Sequence, residues 1–383
     1  MVSKLLHKIK SFGIGGEIGK WLGNFLLNRT QRISNEGHLS SESIVLSGVP
    51  QGTILGPILF LIYISDIGET LKTSKMSSFA DDSKIYAKIQ CPEDCQNLQS
   101  ELNTVYKWTT ENLMEFNVDK FEVLKIGKKQ DLKQAIYKNP DNKDIPEINV
   151  AKDIGVYFNS QGDFSDHIKI KFSKAKQMVG YILRAFILRT PTPMMLLFKS
   201  LVLPHMEYCC VVWNPHLQKD ITKLETIQRY FTSKLDEMED LRYYDRLKKL
   251  KIYSLERRRD RYLLIYIYKI IWGKVPNPGL SFKNSERRGK VLITPSSTHK
   301  TTDLVHHSFI RRAPRLFNAI PRYLRDLPIT TSLDSLKSKL DKHISSIPDE
   351  PRLPGCYPTN CAVSNKLEDQ LLLIRESLSK EHP

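Results

Sequence analysis

Two adjacent carboxylates, Asp81 and Asp82, stand in the segment Ser77-Ser78-Phe79-Ala80-Asp81-Asp82-Ser83-Lys84-Ile85-Tyr86-Ala87. Ile85, Ala87 and Ile89 alternate with Lys84, Tyr86 and Lys88, and a short apolar run precedes the acids. The pattern predicts strand, two-residue turn, strand, with Asp at both turn positions. Acids there add nothing to packing, but they concentrate negative charge where a divalent cation could be held by oxygen ligands and by substrate phosphates. Asp is also a common turn residue, so the pair alone is equally compatible with a plain solvent-exposed turn.

The elements around the pair narrow the choice. Residues 47–67 read SGVPQGTILGPILFLIYISDI: Gly48-Val49-Pro50-Gln51-Gly52 marks a turn, and Pro57 suits the first turn of a helix from about Gly56 to Ile67. That helix is apolar on nearly every face and is expected to be buried. The VPQG turn, the GPILFLIYISDI helix and the FADD hairpin together resemble the palm of reverse transcriptases, in the same order. Asn117 to Gly127 resembles the next palm motif, with Lys120 at its lysine position. Ala151 to Phe158 resembles the segment that supports the primer end. Trp213-Asn214-Pro215, DITKLETIQRYF, YYDRLKKLKIYSLERRRDRYLLIYIYKII and SFIRRAPRLFNAIPRYLRDLP are similar to the carboxyl-terminal part of jockey-like non-LTR (LINE-type) retrotransposon polymerases. The resemblance spans roughly residues 4–345.

The resemblance implies an RNA-directed DNA polymerase that adds deoxynucleotides to a DNA primer 3′-OH on an RNA template by two-metal chemistry with Mg²⁺ or Mn²⁺. It implies Asp81 as principal metal ligand and Asp82 as the second, more peripheral acid. Pro50, Gln51 and Gly52 would lie under the nascent base pair, and Phe79 and Ala80 beside the sugar of the triphosphate. Lys120 would neutralise or protonate the pyrophosphate leaving group. The family's other bridging Asp comes from a strand upstream of the VPQG turn, whereas the first Asp in this sequence is Asp66. The opening KLLHKIKSFGIGGEIGKWLGNFLLNRTQRI resembles the helical segment that follows that strand. The sequence-level expectation is therefore a chain inactive alone, lacking the fingers and the upstream acid, unless a longer amino-terminal region or a second chain supplies them. A catalytically dead nucleic-acid-binding protein and a decayed relic are the alternatives.

Composition agrees with a nucleic-acid partner. The 383 residues carry 58 Lys and Arg against 42 Asp and Glu, a formal net charge of +16, which implies a polyanionic partner, nucleic acid first and an anionic membrane surface second, a choice the basic balance alone leaves open. Arg257, Arg258, Arg259 and Arg261, with Tyr262, Tyr266 and Tyr268 nearby, form a candidate phosphate-binding helix face; the alternative is an ordinary solvated face. Lys4, His7, Lys8 and Lys10 interrupt any amino-terminal leader pattern, and Met194–Trp213 is broken by charge and proline, so no membrane segment is expected. Cys91, Cys95, Cys209, Cys210, Cys356 and Cys361 read as reduced thiols, and the last two lack the partners of a zinc knuckle. An intracellular location follows, nuclear by family analogy.

The expected fold class is α+β. Residues 1–160 form a partial reverse-transcriptase palm, an antiparallel sheet with helices on one face, into which strands Phe121–Ile126 and Ile148–Phe158 are drawn. A helical thumb-like domain spans 161–275, with helices near 165–189, 192–213, 219–235 and 241–273. A linker or long loop (276–307), carboxyl-terminal helices (308–345) and a tail (346–383) complete the chain.

Overall fold

The computed structural model describes residues 2–127, 134–286, 289–295, 303–354 and 364–381, the side chains of 303–304 and 376–381 excepted. The chain divides into two compact units, Met1–Asn149 and Val150–Pro383.

The first unit opens with helices α1 (Val2–Ser11) and α2 (Gly16–Leu26), followed by two small ribbons. Strand β1 (Thr30–Gln31) pairs with β4 (Ser43–Ile44), enclosing the β2 (Ser34–Asn35) and β3 (His38–Leu39) pair. Then come α3 (Leu55–Ile64), a 3-10 turn at Ile67–Thr70, the hairpin β5 (Lys75–Phe79) and β6 (Asp82–Tyr86), and α4 (Pro92–Glu111). A second 3-10 turn (Val118–Lys120) precedes β7 (Val123–Leu124), which pairs in parallel with β8 (Glu147–Ile148). The core joins Leu5 and Ile9 of α1, Leu22 and Leu26 of α2, Leu59, Tyr63 and Ile64 of α3, and Val105 and Trp108 of α4.

Two expectations are corrected in this unit. Helix α3 is buried on one face only: α1, α2 and α4 cover Leu59 and Tyr63, while Ile54 at its N-cap is 89% exposed and Ile58 and Leu61 are 50% exposed. Nor do the strands join one palm sheet. Each ribbon among the described residues is two strands wide, so none is broad enough to cover a second helix face.

The second unit begins with the antiparallel pair β9 (Val150–Asp153) and β10 (Val156–Asn159), packed on the long helix α5 (Ser165–Ala185). A helical stretch follows as α6 (Pro191–Leu197), a π-helical turn (Phe198–Val202), α7 (Leu203–Glu207) and α8 (Cys210–Trp213), broken at Cys209 with φ +54°. Helices α9 (Gln218–Thr232), α10 (Tyr243–Leu250) and α11 (Leu255–Ile271) come next. The single helix expected over 241–273 is thus two: Lys251 turns left-handed (φ +51°) and the Ser254 hydroxyl accepts from Arg257 N to start the second.

The stretch expected as a linker contains the hairpin β11 (Ser281–Ser285) and β12 (Gly289–Ile293). Leu292 is buried, and its backbone exchanges hydrogen bonds with the Asn318 side chain at 3.0 and 2.9 Å. One apolar side chain and one amide pair anchor a segment whose composition reads as loop. Helices α12 (Asp303–His306), α13 (Phe309–Ala319), α14 (Arg322–Arg325), α15 (Leu333–Ile344) and α16 (Leu367–Glu381) close the unit. Cys356 and Cys361 lie outside the described residues; Cys91, Cys95, Cys209 and Cys210 are free thiols. No helix of the described residues is long and apolar enough to cross a membrane.

Candidate active site

The hairpin β5–β6 is aimed by its alternation. Met76 and Ile85 pair across the ribbon and pack on the core of the first unit. Period two then sets Phe79 and its cross-strand partner Asp82 on the opposite, open face. The register Phe79↔Asp82 makes Ala80 and Asp81 the two turn residues. This corrects the expected Asp-Asp turn: Asp81 sits at the tip and Asp82 is the first residue of β6. Ala80 adopts φ +53°, a left-handed conformation that favours glycine and costs a residue with a Cβ about 1 kcal/mol or more. The Ser78 and Ser83 hydroxyls hydrogen-bond at 2.8 Å behind the tip. Both carboxylates are exposed.

A residue not singled out in the sequence fixes the entry to this hairpin. Glu101 of α4 is buried, and its carboxylate accepts from the backbone N–H of Lys72, Thr73 and Ser74 at 2.8, 2.6 and 2.9 Å. Burial opposes its ionisation. The donors of Ser74, Thr73 and Lys72 overcome that opposition and hold its pKa at about 2. Its only sequence signal is an acid on an otherwise half-buried helix stripe, which resembles any solvated position.

The VPQG turn has its own support. The Thr53 hydroxyl donates to Pro50 O at 2.9 Å and accepts from Gly56 N at 3.0 Å, tying the turn to the start of α3. A side chain at Gly56 would meet Pro50 O at 2.5 Å, so the close approach demands glycine. Gly52 has φ +76°, and nothing lies within 4 Å of where its Cβ would stand. Its conformation therefore selects glycine, and its backbone faces open space. Gln51 is exposed and Pro50 half-buried. Lys120 is exposed at the end of its 3-10 turn, whose cap Asn117 accepts from Asp119 N at 3.2 Å.

Among the described residues no hydrogen bond or ion pair joins Asp81, Asp82, Gln51 and Lys120 to one another. Nor does any group of three or more His, Cys, Asp or Glu stand together as a metal cage. Asp66 is engaged elsewhere: Lys8 Nζ donates to it at 2.6 Å and to Tyr63 O at 2.6 Å, over the rings of Tyr63 and Trp108. The two hairpin acids suit a cation that keeps several waters and borrows phosphate oxygens. They do not by themselves complete a pair of ions.

The arginines expected to face nucleic acid do not. Arg257 is fully buried, donating to Pro348 O and Gln370 Oε1, each at 2.8 Å. Arg259 is buried with Nε on Asn214 Oδ1 at 2.9 Å. Arg258 pairs with Glu207, and Arg261 grips Asp341 through two nitrogens. These side chains hold α11 to its neighbours, so the cluster is interior wiring and neither of the surfaces expected.

Comparison with known families agrees with the motifs. Residues 1–148 match the family described as reverse transcriptase (RNA-dependent DNA polymerase). Over 215 residues, 54% of the chain, the protein is 23% identical to the "Probable RNA-directed DNA polymerase from transposon X-element" of Drosophila melanogaster, covering 24% of that protein. Over 128 residues, 30% of the chain, it is 28% identical to the RNA-directed DNA polymerase from mobile element jockey of Drosophila funebris, covering 13% of it. The chain thus spans about a quarter or less of the relatives it matches.

Proposed function

We propose, from the premise that residues 1–148 carry reverse transcriptase sequence of the jockey-like non-LTR retrotransposon kind, that the β5–β6 tip is the carboxylate pair of a nucleotidyl-transfer site. The reading makes residues 1–160 palm and residues 161–275 thumb. The observation that carries it is the hairpin itself: two exposed acids side by side, Asp81 in the two-residue turn and Asp82 opening β6, with one face of the ribbon anchored through Met76 and Ile85. Asp81 and Asp82 would hold Mg²⁺ or Mn²⁺, which when bound supplies charge neutralisation at the triphosphate and a more acidic primer hydroxyl. Phe79, on the same face as Asp82, offers an apolar surface to a sugar. Gly52 leaves backbone free for a base pair to approach, with Gln51 beside it. Lys120 is the cation for the departing pyrophosphate, and the substrates are an RNA template, a DNA primer and deoxynucleoside triphosphates.

The same geometry limits these 383 residues. Two bridged ions require a further carboxylate, and Asp66 is occupied by Lys8. The polypeptide is expected to seat a cation without extending a primer. Purified chain, RNA template, annealed DNA primer, nucleotides and Mg²⁺ or Mn²⁺ test this directly. No extension is expected; extension abolished by Asp81→Asn would show that the residues complete the site after all. Extension that survives Asp81→Asn would remove the hairpin from the chemistry.

A further inference from the structure

A small cavity in the second unit is lined by basic side chains from separate parts of the chain. They are His216 ahead of α9, Arg259 of α11, His307 ahead of α13, Arg312 and Arg315 of α13, and Lys366 ahead of α16. Its volume is about 50 Å³, against the roughly 10–15 Å³ that one water requires. Arg259 and Arg312 are buried. Arg259 spends Nε on Asn214 Oδ1 at 2.9 Å and Arg312 spends Nη2 on Val211 O at 3.3 Å. Arg259 Nη1 and Arg312 Nε are buried with no hydrogen-bond partner, and among the described residues neither guanidinium forms an ion pair with a carboxylate. Three acids also line the cavity, and each is engaged: Glu368 pairs with Arg315 at 3.2 Å, Glu256 accepts from Asn365 Nδ2 at 3.1 Å, and Asp260 accepts from Leu367 N at 3.4 Å. Burial pushes all three carboxyls above their ordinary values, which weakens them as counter-charges.

The unmet demand here is for an acceptor. Arginine keeps its charge at any working pH, and a buried charge without a partner is costly. A water would satisfy the spare N–H groups and leave the charge; an anion answers both. The surroundings point the same way: the His216 and His307 rings stack with centroids 4.4 Å apart. Burial, then the basic neighbours His216, His306, Lys366 and Arg315, lower His307 to about 4, so the potential beside the cavity is positive. We propose that this cavity binds a tetrahedral oxyanion, phosphate or sulfate, which ties α11 to α13 and to the start of α16. Guanidinium N–H groups from two helices match an ion that offers four acceptor oxygens, and charge-assisted bonds of this kind are the strong ones. Drug-sized ligands occupy pockets of about 300–1,000 Å³, so the cavity excludes a nucleoside and takes the free ion.

The test uses the whole 383-residue chain, freed of phosphate, in chloride buffer of fixed ionic strength without divalent cation or nucleotide. Equilibrium dialysis against radiolabelled inorganic phosphate should give one ion bound per chain. Sulfate should compete for it, and adenosine 5′-monophosphate should not. Arg312→Gln is expected to abolish binding. Because a change at a buried position can prevent folding, Lys366→Gln, at an exposed position, is measured beside it. That variant should weaken binding about two- to fivefold, while Lys339→Gln/Lys342→Gln, at exposed positions of α15, should leave it unchanged. Phosphate at ten times its Kd should raise the thermal midpoint by about 3–6 °C over chloride of equal ionic strength. Arg312→Gln should remove that rise, which separates site binding from the general stabilisation that phosphate gives any protein. No bound phosphate would assign the cavity to water and overturn the proposal. Binding undiminished in every cavity variant that folds, or adenosine 5′-monophosphate competing as well as phosphate, would also overturn it.

Discussion

Asp81 and Asp82 can be proposed from sequence because carboxylate chemistry is carried by residue type; Glu101 cannot, because its role depends on which backbone amides it meets. Glu101 gives the first unit a pH dependence of definite sign. Its pKa falls from 4.5 to about 2 on folding, so its stabilisation is complete above about pH 5 and is lost as pH falls toward 2. Glu101→Gln should cost about 2 kcal/mol at pH 7, read as a lowered denaturation midpoint. It should also flatten the acid limb of the stability profile, and an unchanged limb would assign that limb to other groups. At the tip, Ala80→Gly should stabilise by up to about 1 kcal/mol by relieving φ +53°. Ala80→Val should destabilise, since a β-branched side chain tolerates that conformation least.

Periodicity located helices at the scale of elements but could not say which neighbours they meet. The run over 241–273 reads as continuous because Lys251 and Ser254 carry no helix-breaking composition, yet the structure uses them as stop and cap. The arginines of α11 looked like a surface because arginine usually is one; neighbouring acceptors, including Glu207, Asn214 and Asp341, draw them inward. At the start of the same helix, Glu225 of α9 accepts from Leu255 N at 2.9 Å and from the Tyr243 hydroxyl. Burial pushes its pKa up to about 8, against the opposing pull of Tyr243 and Arg259. The folded chain therefore binds a proton that the unfolded chain releases near 4.5. Stability from this group is full below about pH 4.5 and is lost as pH rises through 8. Glu225→Gln, which keeps an acceptor for Leu255 N, should remove that alkaline decline in chemical denaturation; a variant with the same slope would exclude Glu225 as its source.

The whole molecule carries +16, and the sequence implied the partner class without the surface. Charge counts point to a class of partner, but only burial and pairing show that the arginines of α11 are taken up inside the fold. The apolar residues Ile54, Ile58 and Leu61 left exposed around α3 likewise could not be foreseen, since an all-apolar helix reads as buried from sequence. Ile58→Lys with Leu61→Lys should leave the unfolding midpoint within about 1 kcal/mol of wild type while raising solubility; a larger loss would mean that this face is packed in solution. The central claim is that the β5–β6 tip holds a divalent cation with a nucleotide, and Mn²⁺ electron paramagnetic resonance measures that directly. Titrating Mn²⁺ and a deoxynucleoside triphosphate into the chain should show protein-bound Mn²⁺ that disappears in Asp81→Asn/Asp82→Asn and persists in Lys339→Gln/Lys342→Gln, at exposed positions of α15. Equal Mn²⁺ binding by the wild type and the Asp81→Asn/Asp82→Asn variant would contradict it.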